Sequence, residues 1–218
     1  MSVNKENYAG IRKELDATNI TLVAVSKIKP AGDIQLLYDL GQRDFGENYV
    51  QELVEKQSLL PTDIRWHFIG HLQSNKVKYI APFVHLIHGV TSISTLKEIN
   101  RQAKKNDRVI DCLLQVHIAQ EESKFGFDAN EVEAILSQTE YPNANIVGLM
   151  GMASFSEDLM QVRQEFAGLK KLFDQAATER PGFNTLSMGM SGDYKLAIEE
   201  GSTMVRIGSL LFGNRSIV

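Results

Sequence analysis

The order of its apolar runs constrains this chain more than any other feature, because strand-type runs and helical spacings alternate from one end to the other. The first run, Leu22-Val23-Ala24-Val25, has no polar alternate. That is the pattern of a strand buried on both faces, as in a parallel sheet covered by helices. Lys27 follows at its C-terminal end and Pro30 closes the segment. Ahead of it, Tyr8, Ile11 and Leu15 share one face of a helix expected over 3–17. After it, Ile34, Leu37, Tyr38 and Leu40 form an apolar stripe over 31–40, with Gly41 as the residue that ends the helix.

The same alternation predicts further strands at 43–46, 66–70, 83–87, 109–118, 145–150, 185–188 and 204–207. Between them fall helices at about 47–56, 75–80 and 96–105, then one opening at Asp128, one near Ser156, and one from Asp193 to Gly201. Asp128 and Glu131 have capping-box spacing, and Val162, Phe166, Leu169 and Phe173 make the inner face of the long helix. Eight strands and their helices within 218 residues imply an α/β protein, a single (β/α)8 TIM-type barrel over 1–218 with an extra N-terminal helix. An open doubly wound sheet would carry a Gly-rich turn after the first strand, where this chain has Ser-Lys-Ile-Lys-Pro.

Composition narrows the partners. No segment approaches the ~18 apolar residues of a membrane helix, and the polar N-terminus has no secretory h-region, so a cytoplasmic protein is expected. The single cysteine, Cys112, excludes an internal disulfide. A net charge of −4 without a basic block argues against nucleic acid. His67 and His71 are four apart, but Trp66-His67-Phe68 reads as a strand, so the two do not share a helical face and no metal site is expected. Lys29, Lys76 and Lys124 read as surface lysines and the methionines at 150, 152, 188 and 190 as packing.

In a barrel the strand C-termini converge on one rim. Lys27, Asn48, Gly70, His71 and His88 are expected there, with 150–154, 187–191 and 206–209. The Gly/Ser loops Met188-Gly189-Met190-Ser191-Gly192 and Ile207-Gly208-Ser209 follow strands seven and eight, where barrels commonly hold a phosphate. A lysine at the same rim suggests a Schiff base with a phosphorylated aldehyde, either a sugar phosphate or pyridoxal 5′-phosphate (PLP). Arg206 reads either as a partner for a pyridine nitrogen or as half of a salt bridge. His88 reads as a rim acid or base, or as a hydrogen-bonded structural residue.

The segments AVSKIKP, FGENYVQE, WHFIGHLQSNK, GLMGM, LSMGMSGD and GSTMVRIGSLLFG resemble the pyridoxal phosphate homeostasis family, small PLP-binding proteins similar to the barrel domain of bacterial alanine racemase. The resemblance implies that Lys27 carries PLP as a Schiff base and that Asn48 lies beside it. It implies that Ser187, Ser191, Gly208 and Ser209 hold the phosphate and that Arg206 approaches the pyridine nitrogen. It further implies a carrier that buffers PLP and passes it to apo-enzymes; without the second domain with which alanine racemase supplies an opposing base, a monomer with little or no turnover and no catalytic residues is expected. The alternatives are a weak amino-acid racemase and a Schiff-base aldolase. The outer loops at Phe125 and at Ala153-Ser154-Phe155 depart from familiar members.

Overall fold

The computed structural model of the protein describes residues 3–119, 125–138 and 140–213. Eight parallel strands close into a barrel in sequence order: β1 (Thr21–Val25), β2 (Asp44–Glu47), β3 (Arg65–Phe68), β4 (Leu86–Val90), β5 (Ile110–Val116), β6 (Ala144–Gly151), β7 (Thr185–Met190) and β8 (Met204–Ile207). The wall outside is α1 (Lys5–Asp16), α2 (Ala31–Asp39), α3 (Val50–Leu59), α4 (Val77–Ile80, entered through a 3-10 turn at Ser74–Lys76), α5 (Ile93–Lys105), α6 (Ala129–Leu136), α7 (Leu159–Thr178), α8 (Tyr194–Glu199) and α9 (Ser209–Phe212). The expected barrel and its leading helix α1 are both present.

Two apolar layers hold it. The larger fills the space between sheet and helices, with Leu15, Leu22, Leu37, Phe45, Ile99, Phe166 and Phe212 among its buried members. A smaller one, Val23, Leu86, Leu113, Met150 and Met204, plugs the barrel interior. Buried strands present residues alternately to these layers, which is why the runs carry so few exposed positions. Closure is set by β1 against β8, where Val23 pairs with Arg206 and Ala24 with Ile207.

Local chemistry explains most boundaries. Gly41 takes φ +100 at the end of α2, and Asp128 and Glu131 form the reciprocal capping box of α6. Several expectations shift. Helix α3 starts at Val50 rather than 47, and Glu47 ends β2 instead of lying in a helix's first turn. β4 is Leu86–Val90 rather than 83–87, because the Phe83 and Val84 N–H groups turn back to the Ile80 carbonyl. α7 starts at Leu159, where the Asp158 carboxylate accepts from the Met160 and Gln161 N–H groups. Asp193 precedes α8 but caps nothing there with its side chain; it accepts from Met190 N at 2.6 Å and so pins the β7–α8 loop. The loop expected at 121–126 lies partly outside the described residues, as does Lys124.

Candidate functional site

Register places the expected residues on one rim. Lys27 stands three residues beyond Ala24 and Ser209 two beyond Ile207, and Ala24 and Ile207 are paired, so both emerge from the same end of neighbouring strands. The loops touch: a Cβ at Gly208 would lie 3.3 Å from Val25 Cβ. Lys29 Nζ donates to the Phe212 carbonyl at 2.8 Å, tying the turn after β1 to the end of α9.

Lys27 is half-buried in a turn whose next residue, Ile28, has φ +63. A β-branched residue there stores strain of about 1–3 kcal/mol. An acidic and basic network outside the barrel wall holds that turn. Ile28 N donates to Glu52 Oε1 at 2.6 Å, and Lys56 Nζ donates to the Ser26 carbonyl (2.7 Å), Glu47 Oε1 (2.8 Å) and Glu52 Oε1 (2.6 Å). Ser26 Oγ donates to Glu47 Oε1 at 2.5 Å. Ser26, Glu47 and Lys56 are all buried. Burial raises the Glu47 carboxyl above its ordinary value, with Lys56 opposing. None of Ser26, Glu47, Glu52 and Lys56 was expected at the site. The Glu52 and Lys56 spacing of four was a visible helical ion pair, but nothing in it marks burial.

Inside the barrel a second polar network runs between strands. Arg65 grips Asp44 with two nitrogens, and His67 Nε2 lies 3.0 Å from Asp44 Oδ1. His67 Nδ1 lies 2.9 Å from His88 Nε2, and His88 Nδ1 lies 3.0 Å from Ser187 Oγ. Arg206 Nη1 donates to the Ser187 hydroxyl (2.6 Å) and carbonyl (2.8 Å), and Nη2 to the Gly151 carbonyl (3.1 Å). Burial would raise the Asp44 carboxyl, but hydrogen bonds from Arg65 and His67 outweigh it and hold the group well below the usual carboxylate range. Burial pushes His88 well below the usual imidazole value and lowers Arg206 to about 10. The contacts of Arg206 include no carboxylate among the described residues, and His88 is buried and hydrogen-bonded rather than a rim acid.

Asp44, His67 and His85 bring ligand atoms within 4.8 Å of one another. The Arg65 guanidinium already neutralises that carboxylate, so the cluster is an ion-paired network rather than a cation site. His71 is exposed and packs on Phe125, with ring centroids 5.2 Å apart. Burial raises the Cys112 thiol, which removes it as a nucleophile.

The two Gly/Ser loops expected to hold an anion lie against each other at the rim. Gly189 has φ +92 and approaches α8 so closely that a Cβ would stand 2.6 Å from Ala197 Cβ. Ser191 Oγ accepts from Gly208 N at 3.2 Å, bracing one loop against the other. The first turn of α9 carries the N–H groups of Ser209 and Leu210, which have no preceding helical carbonyl to bond. Ser187 is fully buried three residues before the end of β7, and its hydroxyl is engaged by His88 and Arg206. Asn48 stands at the end of β2 with its Oδ1 buried and without a partner, an acceptor that awaits a donor. Arg206 uses three of its N–H groups on protein acceptors, out of the five that a guanidinium carries. These unmet groups, a cradle with no Cβ at Gly208, and an amine on one rim fit an anionic, aromatic aldehyde such as PLP.

Comparison with known proteins agrees. Residues 3–216 match the family model for the alanine racemase N-terminal domain. The pyridoxal phosphate homeostasis protein of Aquifex aeolicus is 42% identical over 197 residues, covering 89% of this chain and 86% of that one. The Escherichia coli K12 protein of the same name is 38% identical over 230 residues, covering 96% and 95%. The human one is 40% identical over 218 residues, covering 93% and 79%. PipY of Synechococcus elongatus, solved with PLP bound, superposes with a TM-score of 0.87 at 36% identity, covering 95% of this chain and 99% of that one. Alanine racemase of Bartonella henselae shares the fold at a TM-score of 0.74 and 19% identity, covering 94% of this chain and 56% of that one. The chain belongs to the pyridoxal phosphate homeostasis protein family, within the alanine racemase N-terminal domain fold.

Proposed function

We propose that this chain binds PLP covalently on Lys27, buffers it inside the cell, and hands it to PLP-dependent apo-enzymes with little or no turnover. The supporting observation is the β1–β8 register, which brings the Lys27 turn and the Gly208 loop to one rim. Lys27 would hold the group through its amine, and the cofactor would supply the aldehyde carbon there. Ser191, Gly208 and Ser209 take the phosphate through hydroxyl and backbone N–H groups. Asn48 would lie beside the ring with its Oδ1 as an acceptor, and an N–H of Arg206 would face the pyridine nitrogen. Ser187, expected among the phosphate contacts, serves instead to hold Arg206.

Arg206 supports the reading of low turnover. When bound, PLP supplies an electron sink, and that sink is weak when its nitrogen faces a guanidinium that keeps its own proton. His88 is buried inside the barrel with both ring nitrogens engaged, and His71 is exposed against Phe125. We read the barrel as one PLP-binding domain over 1–218, monomeric and cytoplasmic.

The test is uptake of PLP followed by visible absorbance and borohydride trapping. A trapped adduct mapping to Lys27, absent in Lys27→Ala, is expected. A protein that takes up no PLP at saturation, or that traps it on another lysine, overturns the proposal. Transfer is read by mixing the loaded protein with a PLP-dependent apo-enzyme and following its activation; activation no faster than by free PLP removes the delivery role. Deuterium exchange at Cα of added amino acids would reinstate the racemase reading.

A further inference from the structure

The interior network has more order than a set of buried polar pairs requires. Asp44 is an ionised acceptor, because Arg65 and His67 hold its proton off. His67 must therefore present N–H from Nε2 to Asp44. If His67 then accepts at Nδ1, His88 donates from Nε2, accepts at Nδ1 from the Ser187 hydroxyl, and Ser187 in turn accepts from Arg206. Every proton in this arrangement has one acceptor, and every donor points from Arg206 toward Asp44. The opposite orientation of His88 would send two donors to the Ser187 oxygen, from His88 and Arg206, and leave the hydroxyl proton without a described acceptor. The chain spans β8, β7, β4, β3 and β2, so it crosses the barrel rather than following one strand.

We infer that Asp44, His67, His88 and Ser187 form a one-directional hydrogen-bond relay through the barrel interior that fixes the position and donor orientation of Arg206. This inference rests on the reading of Arg206 as the ring-nitrogen partner for its functional meaning, but not for its existence. The four are positioning residues: Ser187 holds the guanidinium, and the two imidazoles transmit the orientation set by the Asp44 carboxylate. Arg206 has no direct carboxylate to orient it among the described residues, and the relay supplies that role at a distance. The Ser187 and Gly151 carbonyls also hold the guanidinium, and the relay adds a hydroxyl whose own proton is committed to His88, so it can only accept from Arg206.

The experiment is nitrogen-15 NMR of histidine- and arginine-labelled protein without cofactor at pH 7, so the outcome does not depend on PLP uptake. The expected result is that both His67 and His88 carry their proton on Nε2 alone. A proton on Nδ1 of either, or a doubly protonated ring, overturns the relay. Asp44→Leu is expected to shift the His88 and Arg206 side-chain signals although Asp44 touches neither; unchanged signals in a folded variant also overturn it. If that variant does not fold, the wild-type proton positions still decide. With PLP loaded, His88→Gln is expected to displace the pH profile of the visible band, which a spacer in the core would leave in place. Normal NMR results with no PLP uptake would count against the proposed function and leave the relay standing.

Discussion

Replacing Lys56 by methionine removes the cation on which the Lys27 turn is mounted while keeping most of the side-chain volume. Lys56 Nζ makes three charge-assisted contacts, to the Ser26 carbonyl and to one oxygen each of Glu47 and Glu52. Glu47 is fully buried, and its other oxygen already lacks a partner. Removing one member of a buried pair costs about 3–5 kcal/mol, because the survivor keeps its desolvation penalty. At about 2–4 °C per kcal/mol for a chain of this size, Tm falls by roughly 6–20 °C. The sign of the pH dependence identifies the cause. A carboxyl raised above its unfolded value contributes stability that is complete below the unfolded pKa and lost as pH rises through the folded one. Glu47 is raised already, and without Lys56 it rises further. The deficit of Lys56→Met should therefore be small near pH 4 and grow toward pH 8, as read from urea midpoints across that range. Adding Glu47→Gln should recover most of the loss at pH 8, since the charge that suffers is gone. A deficit below about 1 kcal/mol that is flat with pH would refute a buried ion pair under the turn.

Four further outcomes are expected. Ile28→Asn suits φ +63 better than isoleucine and gives up little burial, as Ile28 is 62% exposed; it should raise Tm by about 2–4 °C, for about 1 kcal/mol of strain, in a thermal melt. Ser191→Ala should weaken PLP binding by roughly 10- to 150-fold, the worth of one hydrogen bond to a charged group of about 1.5–3 kcal/mol, and leave binding of unphosphorylated pyridoxal unchanged in equilibrium titrations. Gly189→Ala meets both φ +92 and Ala197 Cβ at 2.6 Å, so it should cost about 1–3 kcal/mol in urea unfolding and distort the phosphate loop. Because His88 is depressed in the folded state, its contribution is complete above about pH 6.5 and lost as pH falls, and Asp44 adds a second loss below about pH 4. Urea midpoints that stay level from pH 7.5 to pH 3 would contradict both.

The barrel was legible because eight strand runs and their helices leave few other closures, and Met204–Ile207 and the capping box of α6 were read at their observed positions. β4 was read three residues early because the segment from Phe83 to Ile87 is nearly as apolar as the strand itself. Only the backbone turn onto Ile80 separates them. The end of β7 bears on Ser187 in the same way. A strand ending at Met188 puts Ser187 near the rim, whereas β7 continues to Met190 and leaves it inside, against Arg206. Alternation counted from the true end would have grouped Ser187 with Arg206, and His67 with His88, on the inner face. Ser191 and Gly208, in contrast, sit in loops whose glycines are visible without any strand boundary. Lys56 and Glu47 had no such signal, since two residues nine apart become partners only when α3 packs on β2.

Both polar networks start on the same strand. Asp44 and Glu47 lie at opposite ends of β2 and, three residues apart, on opposite faces of it. Asp44 faces inward and anchors the interior chain that ends on Arg206. Glu47 faces the helices and anchors, through Lys56, the turn that carries Lys27. A one-residue slip of β2 would exchange the two faces, leaving a carboxylate against the apolar wall and His67 without its acceptor. The register of β2 against β3, with Asp44 opposite Arg65 and Glu47 opposite Phe68, thus fixes two chemically separate parts of the rim at once. Glu47→Gln and Asp44→Leu should accordingly perturb different halves of the site. The first should loosen the turn at Lys27 with Arg206 undisturbed; the second should release Arg206 with the turn intact. If each variant instead perturbed both halves equally, β2 would be acting through general destabilisation and not as a two-sided mount.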